Sequence, residues 1–103
     1  MEPNYRTKAA SVKANIYSVR QLQADAKRGA LPDWLVDLRV DPRNSVTFSD
    51  DYISIRYVQP DGSRRVVAAP SWMYLARLES GWLRVLVPTE FRTLWEPITP
   101  AYE

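Results

Sequence analysis

The sequence predicts an α+β fold in a single domain: an antiparallel sheet of about four strands, with a three-stranded meander at its centre and roughly two to four short helices around it. Three observations carry that expectation. The middle of the chain alternates apolar and polar residues in three short runs separated by turn-forming residues. The segments around it repeat apolar residues at helical spacing, between residues that start and stop helices. With 103 residues, 46% of them hydrophobic and 25% charged, the chain is long enough for one modest core and too apolar for disorder.

Residues 1–15 are polar, rich in small side chains and without a clear period. They read as a flexible basic arm, with a short strand near Ile16 and Tyr17. The folded domain is expected over 16–97 and a tail over 98–103. A helix over 18–28 follows from Ser18 as N-cap, Gln21 at the capping-box spacing, and a stripe of Val19, Leu22 and Ala26. Lys27 and Arg28 suit its C-terminal dipole, and Gly29 supplies a left-handed stop. Residues 32–40 fit helix or strand. Pro32 and Asp33 favour a short helix, with Leu31, Trp34, Leu35 and Leu38 on its inner side.

The meander is the clearest stretch. Val46–Ser49 alternates and stops at Asp50-Asp51. Residues 52–58 alternate again, with Ile53, Ile55 and Tyr57 inward, and Tyr52, Ser54, Arg56 and Val58 outward. Gln59-Pro60-Asp61-Gly62 is a tight turn, and 63–69 is the returning strand. After Pro70, the spacing of Trp72, Leu75, Ala76 and Leu78 favours a helix capped by Ser71 and stopped by Gly81, with a strand as the second choice. Residues 82–87 read as a fourth strand. A last short helix is expected from Thr89, with Phe91, Leu94 and Trp95 on one side.

Composition narrows the function. The chain has no cysteine and no histidine. It therefore lacks thiolate nucleophiles, disulfides, thiolate metal sites and the usual general base near neutral pH. Gly29, Gly62 and Gly81 are too scattered for a phosphate-cradling loop. Asp50-Asp51 reads as a turn. Asp33, Asp37 and Asp41 read as a solvated helix face, or as a docking surface for a basic partner. No cofactor and no metal is expected, and binding is expected in place of catalysis. No apolar run is long enough for a secretory signal or a membrane span, so the expected location is the cytoplasm.

Charge is unevenly spread. Residues 1–28 carry six basic and two acidic side chains, a net of +4, within a chain whose net charge is +2. Arg6, Lys8, Lys13, Arg20, Lys27 and Arg28 are thus candidate nucleic-acid contacts. The partner-binding candidates are Tyr52, Arg56, Arg64, Arg65, Trp72, Trp82 and Trp95, because exposed Trp, Tyr and Arg anchor interfaces and the tryptophans with Tyr102 overfill a small core. The first expectation is a protein-binding module, such as an inhibitor, an adaptor or an accessory factor of a phage or mobile element. A homodimer is compatible with it. The alternative is a nucleic-acid binder that uses the basic arm and the Arg/Tyr sheet face. A winged helix-turn-helix is disfavoured, since a recognition helix over 32–39 would carry Asp33 and Asp37 toward the duplex.

Overall fold

The computed structural model describes residues 3–9 and 12–98. It is an α+β fold with two antiparallel sheets and three helices. The elements run β1 (Tyr5–Thr7), β2 (Lys13–Ser18), α1 (Val19–Arg28), α2 (Asp33–Val40), β3 (Ser45–Phe48), β4 (Tyr52–Val58), β5 (Arg64–Pro70), β6 (Tyr74–Leu78), β7 (Leu83–Leu86), α3 (Pro88–Leu94) and β8 (Trp95–Pro97). One sheet has the order β7-β6-β2-β1-β8 and the other is the meander β3-β4-β5.

The two sheets are linked by one excursion. β2 and β6 are neighbours, with Ser18 opposite Tyr74. The chain leaves β2 at Val19, builds both long helices and the whole meander, and returns at Met73. The Val19 N–H donates to the Met73 carbonyl at 3.0 Å, which closes the excursion at its base.

α1 starts as its sequence predicts. The Ser18 hydroxyl accepts from the Gln21 N–H at 3.1 Å, and Gly29 closes the helix at φ 69°. The capping box is only half made, because the Gln21 amide turns to Asp25 at 2.8 Å. α2 buries Trp34 and Leu35 as the helical reading requires.

The five-stranded sheet is apolar on both sides. Tyr17, Leu75, Leu83 and Val85 face the main core, with Val19, Leu22, Trp34, Leu35, Ile53, Ile55, Val67 and Ala69. Ala14, Ile16, Ala76, Leu86 and Trp95 face a second core. There α3 closes the sheet with Phe91, stacked on Tyr74 at 4.2 Å and edge-on to Tyr5 at 5.1 Å. Such aromatic pairs contribute roughly 0.5–1.5 kcal/mol each beyond area burial.

Four expectations are corrected. Residues 5–7 and 13–15 of the expected arm lie in strands, β1 and β2, each paired on both sides, and β2 includes the strand expected near Ile16 and Tyr17. Ala14, Asn15 and Ile16 are buried in succession because β2 is covered on both faces. The expected helix after Ser71 is the strand β6, since Leu75 and Ala76 are both fully buried, one toward each core. Among the described residues the strands total eight in two sheets, where one sheet of about four was expected. Pro88 opens α3, and Trp95 leaves it to enter β8. Of the expected tail only Ile98 is among the described residues, and Tyr102 lies outside them. Among the described residues no helix is long and apolar enough to cross a membrane.

Candidate interaction surface on the three-stranded sheet

The register of the meander decides what it shows to solvent. Ile53 opposite Ala69, and Ile55 opposite Val67, point into the main core with Val46 and Phe48. The opposite row is Ser45 beside Arg56 and Val66, Thr47 beside Ser54 and Ala68, Tyr52 beside Pro70, and Val58 beside Arg64. On this outer row Tyr52 is 42% and Val66 56% exposed, and Trp72, in the turn just past β5, is 57% exposed. An antiparallel sheet commonly leaves one face in water, but here that face carries an aromatic, a large β-branched residue and two arginines.

The two ends of the face differ. At the Tyr52 end, α1 ties two turns together through one side chain. The Gln23 amide donates to the Ser49 carbonyl at 2.6 Å and to the Ser71 hydroxyl at 3.0 Å. The Ser71 hydroxyl in turn donates to the Asp50 carbonyl at 2.9 Å, and the Ser71 N–H to the Asp51 carbonyl at 2.9 Å. The acidic pair thus sits in a pinned turn beside Trp72.

At the hairpin end lies a groove of about 380 Å³ lined by Arg43, Arg56, Arg64 and Arg65 with Asn44, Ser45 and Val66. The turn before β3 positions its wall. The Asn44 amide donates to the Leu38 carbonyl at 3.3 Å, and its carbonyl accepts from the Val58 N–H at 3.0 Å, so one side chain clamps α2 to β4. Asp41 accepts from the Arg43 backbone N–H at 2.9 Å and from Nη2 at 2.8 Å. That guanidinium, with the backbone N–H adding to it, holds the Asp41 carboxyl down at about 2. No described carboxylate pairs with Arg56, Arg64 or Arg65.

No family model matches the chain, and no curated protein or solved structure matches it.

The sequence candidates divide accordingly. Tyr52, Arg56 and Arg64 share the outer row, and Arg65 is exposed in the groove although its register partner is Tyr57 on the inward row. Trp72, in the turn just past β5, lines a hollow with Arg20, Gln23, Asp50, Asp51 and Pro70. Trp82 is half-buried in the β6–β7 turn, away from this row. Trp95 is 5% exposed in the second core, so its ring cannot anchor a partner.

The basic residues of 1–28 do not converge on the groove. Arg6 pairs with Glu96 across β1 and β8 at 3.0 Å, and Arg28 pairs with Asp25. Arg20 and Lys27 line a separate hollow between α1 and the β3–β4 turn. Lys8 and Lys13 are exposed near the β1–β2 hairpin. The exposed residues of α2 are Asp33, Val36, Asp37, Arg39 and Val40, two acidic against one basic, a poor match to a nucleic-acid groove.

Sequence reasoning missed Arg43, which reads as part of a turn. The Asp-x-Arg spacing was the available signal, because an Asp two residues before an arginine makes an Asx turn that orients it.

Proposed function

We propose that the chain is a non-enzymatic binding module, an inhibitor or adaptor, that docks the outer face of its three-stranded sheet on a protein partner in the cytoplasm. The observation that carries this reading is the row of Tyr52 and Val66 with Trp72 beyond it, exposed together and rimmed by Arg56 and Arg64 at one end. Trp, Tyr and Arg are the residue types that concentrate binding energy at interfaces. Tyr52 and Val66 stand about 13 Å apart along the row, on either side of Ser54 and Ala68, and large apolar groups exposed on one sheet face mark a contact surface. The arginine end calls for acidic groups on the partner, which would set its orientation and speed its approach. Absence of histidine and cysteine from the whole chain supports occupancy over bond chemistry.

Single-stranded nucleic acid is the second reading, favoured by four arginines around one groove. It lacks a stacking surface there: the Tyr57 ring is buried, and Tyr52 stands four residues down the strand from Arg56, about 13 Å away. Binding measured at two salt concentrations separates the readings. A partner held by Tyr52, Val66 and Trp72 stays bound as salt rises, and is lost in Val66→Asp. Nucleic-acid affinity falls steeply with salt. Recovery of nucleic acid alone, or a protein partner indifferent to Val66→Asp, contradicts the proposal.

A further inference from the structure

We propose that the groove at the hairpin end is a binding site for a compact, multiply charged phosphate, held by Arg56, Arg64 and Arg65. It goes beyond the docking surface described above and does not rest on it.

Three arginines line one hollow with no described carboxylate paired to them, Arg56 and Arg64 from the outer row and Arg65 from the adjoining position on β5. The register fixes two of them. Arg56 stands opposite Val66, and Arg64 opposite Val58, so the two are diagonal neighbours on the same face. At the roughly 7 Å typical of such neighbours, two charges repel by only about 0.6 kcal/mol in water, so the two arginines can stand side by side in the fold. Arg43 is already matched by Asp41 and serves as a fixed wall.

The number of unmatched groups decides the ligand class. One carboxylate offers a single charge, and one arginine satisfies both its oxygens bidentately. Three unmatched forks call for more than one negative charge and at least three acceptor oxygens, which a phosphate monoester or diphosphate supplies. Ser45, opposite Arg56 on the next strand, adds a hydroxyl to the lining. The volume of about 380 Å³ lies at the lower end for small-ligand sites. A nucleic-acid strand offers phosphates too, but the groove has no exposed ring on which its bases can stack.

The test is a titration of the full chain with inorganic diphosphate at low salt, read from the arginine Nε–H resonances, with acetate and an oligothymidylate in parallel. The expected result is a saturable shift at Arg56, Arg64 and Arg65, with affinity at least about tenfold above acetate. In the Arg56→Gln/Arg64→Gln double variant affinity falls at least about tenfold, and in Arg6→Gln it is unchanged. Both groove arginines are exposed, so the double variant keeps the fold, which its circular dichroism checks. No saturable shift, equal affinity for acetate, or full affinity in the double variant overturns the site. Tighter binding of oligothymidylate than of diphosphate also overturns it, and assigns the groove to a strand.

Discussion

The Tyr57 hydroxyl accepts a hydrogen bond from the Leu83 backbone N–H at 3.1 Å, inside the core and between the two sheets. It satisfies an edge-strand donor of β7, which lies beside β5 without ladder pairing between them. It thereby holds the meander in place and turns its outer face to solvent. Tyr57→Phe keeps the ring but strands the buried N–H, so it should cost about 1–3 kcal/mol. Chemical denaturation measures this, and an unchanged midpoint would show that the bond does not hold the sheets together.

Asn44 does comparable work at the groove. Asn44→Ala removes the bond to Leu38 and the bond from Val58, and should cost roughly 1–3 kcal/mol. Asn44→Asp keeps the acceptor for Val58 and loses only the donor, so its unfolding midpoint should fall between those of the wild type and the alanine variant.

The Asp41–Arg43 pair sets an acid-range signature. The folded carboxyl titrates at about 2, below its ordinary 3.8, because the Arg43 guanidinium bonds to the ionised form. A depressed folded value adds stability that is fully present above the unfolded value. That stability is lost as pH falls from near 3.8 through about 2. Carboxyl NMR should place Asp41 at about 2 in the wild type, and Arg43→Gln should move it up toward 3.8. An unmoved Asp41 in that variant would assign the shift to some other group.

Trp95 and Trp72 should separate stability from binding. Trp95→Ala empties a site in the second core and should cost about 3–5 kcal/mol. Trp72→Ala, on an exposed turn, should change stability by no more than about 0.5 kcal/mol while weakening partner binding. Thermal denaturation and binding run on both variants check the pair. A large stability loss in Trp72→Ala would place that ring in the packing.

What the sequence reveals follows the physics of each element. α1 is legible because Ser18, Gln21 and Gly29 act within one helix. The 59–62 turn is legible because Pro60 and the positive-φ Gly62 act locally, with the Gly62 N–H donating to Gln59 at 2.8 Å. β2 is legible only near Ile16 and Tyr17, and β6 is hidden, for the opposite reason. Each is buried on both faces, so Leu75-Ala76 shows no alternation, and the two strands pair with each other across about sixty residues. The outward row of β4 reads directly from its alternation. The groove does not, because Arg43, Arg56 and Arg64 meet only once the β3–β4–β5 register is set. Trp95 misleads because aromatic content cannot distinguish a second core from an interface.

The central claim is that the outer row of the meander is the contact surface. A photoreactive phenylalanine in place of Val66, compared with the same group in place of Val40 on α2, tests it most directly. Both valines are exposed, so only location differs. The account predicts a protein adduct from position 66 and none from position 40. Adducts from position 40 alone, or only nucleic acid captured at position 66, would contradict it.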